Sequence, residues 1–205
     1  MLKFEKQVKS QLMKNIAVFA SGAGSNAENL IKYFSNRNSG KVVLVLSNKP
    51  HAPVLERAAK LKVDSLIFDR DRFYNSETVL KTLHEYKVDF IVLAGFLWLI
   101  PDYLINAFPD RIVNVHPALL PAYGGKGMYG DRVYAAVLQA GEEESGITIH
   151  YINGIYDAGN IIFQARCPVL PGDDTHSLAA RVHDLEYRYF PVIVEKIISG
   201  EVTGN

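Results

Sequence analysis

Asn15-Ile-Ala-Val-Phe-Ala-Ser-Gly-Ala-Gly-Ser-Asn26 is the stretch whose reading decides the fold. An apolar run ends at a glycine-containing turn, and a helix-like segment follows over 27–35. Short, near-continuous apolar runs read as strands buried on both faces. The same texture recurs in Lys41-Val-Val-Leu-Val-Leu-Ser47, Ser65-Leu-Ile-Phe68, Asp89-Phe-Ile-Val-Leu-Ala94 and Arg111-Ile-Val-Asn-Val-His116. Helix-length connections separate these runs, at 54–62, 76–86 and 102–108. Strands joined by such crossovers predict right-handed βαβ units, and hence a doubly wound α/β fold around a mostly parallel sheet.

After His116 the texture changes. Tyr123-Gly-Gly-Lys-Gly-Met-Tyr-Gly130 reads as a loop, and 132–140 as a helix closed by Gly141. Ile147-Thr-Ile-His-Tyr-Ile152 and Ile161-Ile-Phe-Gln-Ala-Arg-Cys-Pro-Val169 predict two strands around a turn at 154–160, giving the sheet a mixed C-terminal edge. Leu178, Val182, Leu185, Tyr189, Ile193 and Ile197 recur at helical spacing and predict a long closing helix, with Pro191 inside it. Residues 1–14 read as an N-terminal extension and 15–205 as a single domain.

Composition narrows the function by exclusion. The 205 residues carry 22 Lys+Arg against 22 Asp+Glu, without the basic excess that a general nucleic-acid binder needs. The longest apolar stretch, Phe90-Ile-Val-Leu-Ala-Gly-Phe-Leu-Trp-Leu-Ile100, is stopped by Pro101 and is too short to span a bilayer, so no membrane partner is expected. A start without an apolar signal region and the single Cys167 suggest a cytoplasmic chain without a disulfide framework. No two histidines have metal-ligand spacing supported by acids or Cys, so no metal is expected.

Three constellations carry chemistry. Ser21-Gly-Ala-Gly-Ser-Asn26 joins a strand to a helix, where open amides and the helix dipole can hold a phosphate. The competing reading is a tight turn with Ser or Asn as the helix cap. Asn114 and His116 share a strand face at the C-terminal end of the fifth strand, where open α/β sheets place their ligands. An amide donor beside an imidazole can bind an oxyanion and move a proton. Asp157 lies in a turn between the late strands and is either a turn residue or the group that orients His116 and favours its protonated form. His150 faces core or site, whereas His51, His84, His176 and His183 read as surface or helix-end residues.

Ser21-Gly-Ala-Gly-Ser-Asn26, Leu93-Ala-Gly-Phe96, Asn114-Val-His-Pro-Ala-Leu-Leu-Pro121 and Asp157-Ala-Gly159 occur in the order seen in folate-dependent formyltransferases, which the chain resembles from about residue 15 to 200. The resemblance implies a Rossmann-like fold and transfer of a formyl group from 10-formyltetrahydrofolate to the amine of glycinamide ribonucleotide in purine biosynthesis. Carried over residue by residue, it implies that Gly24, Ser25 and Asn26 hold the substrate phosphate and that Glu186 contacts the ribose-phosphate substrate. It makes Asn114, His116 and Asp157 the catalytic group. It assigns Leu97, Trp98, Leu99, Ile100 and either Arg70 or Arg72 to the folate. Trp98 stands where some relatives carry a basic residue. Alternatives that share these motifs are a formyltetrahydrofolate hydrolase and a methionyl-tRNA formyltransferase. Length and neutral charge favour a small-molecule acceptor over tRNA.

Overall fold

In the computed structural model the first strand, β1 (Lys14–Phe19), sends Ile16 and Val18 to one face of the sheet and Ala17 and Phe19 to the other, all fully buried. This alternation divides the molecule into two cores. The structure describes residues 13–202, so the extension expected at 1–14 falls outside the described residues except for Met13 and Lys14, and Lys14 already belongs to β1.

The elements that follow are α1 (Ser25–Phe34), β2 (Gly40–Ser47), α2 (Pro53–Lys60), β3 (Asp64–Ile67), α3 (Arg70–Tyr74), α4 (Thr78–Glu85) and β4 (Phe90–Leu93). After them come α5 (Asp102–Ala107), β5 (Ile112–His116), α6 (Asp131–Gln139), β6 (Glu144–Tyr151), β7 (Ile161–Pro168) and α7 (Thr175–Ile198). The strand order is β3-β2-β1-β4-β5-β6-β7. Strands β1 to β5 run parallel, and β6 and β7 add the antiparallel edge. The doubly wound α/β fold with a mixed C-terminal edge is therefore as expected.

One core packs α1, α2, α6 and α7 against Ile16, Val18, Val113, Val115, Ile147 and Ile149. The other packs α3, α4 and α5 against Ala17, Phe19, Ile91 and Leu93. It is aromatic: Phe68 stacks on Phe73 at 4.9 Å, and Phe19 meets Phe96 edge-on at 5.4 Å. Such pairs add about 0.5–1.5 kcal/mol each beyond their buried area. The closing helix α7 starts with a capping box, Asp174 and Ser177, and runs through Pro191. Leu178, Val182, Phe190 and Val194 hold its inner stripe fully buried.

Three local expectations are corrected. The third strand pairs only with β2, so Asp64, Ser65 and Ile67 are exposed where burial on both faces was expected. Helix α3 escaped the periodicity because it is a single turn and a half; the Asp69 carboxylate starts it by accepting from the Arg72 N–H at 2.8 Å. Strand β6 begins at Glu144, earlier than expected, because Glu144 pairs with Pro168 at the far end of β7.

The same alternation prepares a site. On β5, Ile112 faces the aromatic core, and Asn114 and His116 follow on that face. The antiparallel register places His150 opposite Asn114 and Thr148 opposite His116. Four polar side chains thus share one patch of sheet beyond the aromatic core.

Candidate active site

The chain order reverses between β1 and β4, the switch point where open α/β sheets bind ligands. There the Ser21 N–H donates to the Gly95 carbonyl at 3.0 Å, and the Leu97 N–H donates to Ser21 Oγ at 3.0 Å. Ser21 therefore clips together the two segments that leave the sheet. A cavity of about 590 Å³ opens at this point, within the usual size range for small-molecule sites. It is bounded by the glycine turn, the end of β5, the 125–130 loop, Asp157 and one face of α7.

Gly24 is the N-cap of α1, with φ +75, and no side chain caps the helix. The reading of Ser25 or Asn26 as a cap is thus excluded, and the first-turn amides are left without a side-chain acceptor. A Cβ at Gly24 would lie 2.4 Å from Val54 Cβ, so glycine is required both by the left-handed backbone and by the contact with α2. Asn26 turns away from the cap and donates from Nδ2 to Glu186 Oε2 at 2.7 Å, while its Oδ1 is buried without a partner among the described residues. Burial pushes the Glu186 carboxyl above its usual range, against the lowering effect of Asn26 and His183. The expected substrate group of Gly24, Ser25, Asn26 and Glu186 is brought together on one wall.

The expected catalytic group also converges. The His116 Nδ1 lies 3.6 Å from Asp157 Oδ2, and His150 Nε2 lies 3.7 Å from Asp157 Oδ1. Asp157 sits in the left-handed region, φ +54, and its Oδ2 accepts the Gly125 N–H at 2.9 Å. Burial pushes its carboxyl up, but the two imidazoles and the Gly125 N–H together hold it below the ordinary value. Tautomers follow from the carbonyl acceptors. His116 Nε2 donates to the Tyr123 carbonyl at 2.8 Å, and His150 Nδ1 donates to the Tyr151 carbonyl at 2.8 Å. Neutral His150 then accepts at Nε2 from the Asn114 amide, 3.2 Å away. His150, which the sequence left open between core and site, is fully buried behind the cavity wall, where it contacts Asn114 and Asp157, both of which line the cavity.

One electrostatic expectation is reversed. Asp157 does favour protonated His116, but burial of the ring outweighs it, and the His116 pKa is lowered from its ordinary value. An imidazole held more neutral in the fold than in the unfolded chain adds stability that is complete above the unfolded pKa and is lost as pH falls through it. Asp157 adds no slope there, because both its folded and unfolded forms are ionised. Glu186, with its raised pKa, contributes a slope of opposite sign. Hence His116→Asn should lose less stability than the parent between pH 7 and about 5. Urea midpoints at the two pH values check this, and parallel curves for the two proteins would sink it.

The expected folate segment is divided. Leu97 lines the cavity, whereas Trp98, Leu99, Ile100, Arg70 and Arg72 do not. Ile100 belongs to the aromatic core, and the Leu99 carbonyl accepts from the Tyr74 hydroxyl at 2.9 Å. The Arg70 guanidinium lies over the Tyr74 ring at 5.0 Å and the Trp98 ring at 5.8 Å. Of the two arginines, Arg70 is the one that joins the 97–100 segment. Residues that the sequence did not single out also line the cavity: Lys126, Arg132, Tyr134, Tyr156 and His183. His183 lies one turn before Glu186, and that spacing was its signal. Cys167 is buried in the first core and its thiol is pushed up by burial, in keeping with a packing role. Among the described residues no group of His, Cys, Asp and Glu could hold a metal, and no helix is long and apolar enough to cross a membrane.

Residues 14–194 match the formyl transferase family, and the chain belongs to it. Within that family it is similar to phosphoribosylglycinamide formyltransferases. It is 33% identical over 191 residues to the Bacillus subtilis protein of that name, covering 91% of this chain and 95% of the relative. To the chloroplastic protein of Arabidopsis thaliana it is 41% identical over 190 residues, covering 90% of this chain. The match spans 65% of that plant relative's length. The crystal structure of glycinamide ribonucleotide transformylase 1 from Symbiobacterium toebii superimposes with a TM-score of 0.85 at 34% identity, covering 94% of this chain and 91% of that one.

Proposed function

We propose that this chain transfers the formyl group of 10-formyltetrahydrofolate to the amine of glycinamide ribonucleotide. The observation that carries this reading is the meeting of Asn114, His116 and Asp157 in one cavity with the uncapped start of α1. The residues suit both ligands. The α1 amides and the unpartnered Asn26 Oδ1 suit a polar phosphorylated acceptor, and exposed Leu97 beside buried Phe96 suits a flat ring.

Bound formyl-folate supplies an electrophilic formyl carbon. As an amine attacks, negative charge grows on the formyl oxygen, and the donors available to it are Asn114 Nδ2 and His116 Nε2. In the free protein both are engaged, by His150 Nε2 and by the Tyr123 carbonyl. The oxygen therefore has to displace these internal acceptors. Displacing the Tyr123 carbonyl links the 123–130 loop to the state of His116. Asp157, ionised and facing both imidazoles, stabilises protonated His116, and the proton lost by the attacking amine passes to the folate nitrogen as its bond to the formyl carbon breaks. No side chain is required as a nucleophile.

Incubation with 10-formyltetrahydrofolate plus either glycinamide ribonucleotide or water alone, following loss of the formyl-folate, tests the reading. Turnover that requires the ribonucleotide supports it. Equal turnover in water alone would make the chain a hydrolase.

A further inference from the structure

Gln164 of β7 stands in a row with Thr148 of β6 and His116 of β5, because the antiparallel registers pair His116 with Thr148 and Thr148 with Gln164. Directly paired residues send their side chains to one face, so the row runs from the sheet edge to the histidine. Of the three, His116 lines the cavity. Thr148 is fully buried and its hydroxyl is saturated. Its Oγ1 donates to the Ala118 carbonyl at 2.7 Å and accepts the Leu120 N–H at 3.0 Å and the Gln164 amide at 2.8 Å. Gln164 Nε2 also donates to the Leu120 carbonyl at 3.0 Å. That carbonyl fixes the amide's orientation, since the reverse would set two oxygens against each other. The backbone ladder already joins β6 to β7, so this side-chain clasp on 118–120 is more than strand pairing needs.

What the clasp holds lies one step further on. Leu120 is buried, and its side chain lies under Gly124: a Cβ there would stand 2.5 Å from Leu120 Cδ2 and 3.2 Å from Asp157 Cβ. The two neighbours of Gly124 make the contacts to the catalytic pair. The Tyr123 carbonyl accepts from His116 Nε2, and the Gly125 N–H donates to Asp157 Oδ2. A shift of Leu120 is passed to both.

We propose that Gln164 is a positioning residue for formyl transfer: with Thr148 it holds Leu120, and through Leu120 it sets the Tyr123 carbonyl and the Gly125 amide against His116 and Asp157. The inference rests on the proposed function and adds to it a residue of the sheet edge. Its consequence is a proton kept on His116. Burial and His150, on β6, hold the ring neutral, whereas Asp157 and the Tyr123 carbonyl oppose them. Lys126, Arg132, His183 and Glu186 line the same cavity from the loop, α6 and α7. None of these groups lies on β7, so Gln164 acts on His116 through the backbone it holds.

The test uses the full chain and its Gln164→Met variant, which keeps the side-chain length and removes both donors. The His116 ring, followed by NMR, should titrate at lower pH in the variant. With both substrates, kcat near pH 8 should fall about tenfold, the worth of one hydrogen bond, with both KM values retained. The deficit should narrow as pH is lowered toward about 5, because the ring regains its proton. Thr148→Val should repeat both changes, and Thr148→Ser, which keeps the hydroxyl, should show neither. An unchanged His116 titration, or a kcat lowered equally at every pH, would overturn the proposal, as would a loss of urea stability alone. If the wild type shows no ribonucleotide-dependent turnover while its His116 still titrates above that of the variant, the proposed function falls and Gln164 still positions His116.

Discussion

Asp157→Asn lowers kcat for formyl transfer by about 10³-fold and leaves the protein folded. The fold tolerates the change because Asn adopts the left-handed backbone that Asp157 holds at φ +54, and its amide oxygen still accepts the Gly125 N–H. Activity does not tolerate it. The charge that faces His116 at 3.6 Å and His150 at 3.7 Å is gone, so neither ring is helped to carry a proton during the reaction. Burial then acts on His116 with less opposition, and its pKa falls further. Steady-state rates with both substrates, beside a thermal melt, measure the two effects separately. Wild-type-like turnover would remove Asp157 from the mechanism, and a collapsed melt would make its role structural.

The second large effect comes from a residue with no functional group. Gly159→Ala should destabilise the chain by about 3 kcal/mol and cost about 10²-fold in activity. A Cβ at this position would lie 1.7 Å from the Tyr151 carbonyl oxygen, a backbone atom that cannot swing aside. The loop is tied there, because the Tyr151 N–H donates to the Asn160 carbonyl at 3.0 Å. Relief of the clash has to move the loop, and the loop carries Asp157. Urea unfolding and kcat should therefore fall together. A variant within about 0.5 kcal/mol of the parent would refute the clash.

These two residues show why the Asp157-Ala-Gly159 stretch is uneven as a sequence signal. Composition alone marks it as a turn, which Asp and Gly favour for backbone reasons. The steric demand on Gly159 comes from a strand eight residues earlier, and the charge on Asp157 acts on two histidines of β5 and β6. Neither partner is visible from the turn itself. Asn114 and His116 were easier, since strand alternation puts them on one face. His150 alternates just as well, but only the antiparallel pairing of β5 with β6 places it opposite Asn114. Tyr134 was concealed most completely. In the sequence it belongs to an apolar helical stripe, and only the tertiary structure shows that it lines the cavity.

The sequence by itself determined the parallel strands, the closing helix, the glycine turn and the order of the motifs. These depend on period, on runs of apolar residues and on local backbone rules, which act between near neighbours. It also carried the family resemblance. The tertiary structure decided what depends on distance across the chain and on the removal of water. It left α1 uncapped beside the cavity and joined Asn26 to Glu186 across 160 positions. It divided the 97–100 segment between cavity and core. It also reversed the expected effect on His116, because the desolvation of a buried ring exceeds the attraction of one carboxylate.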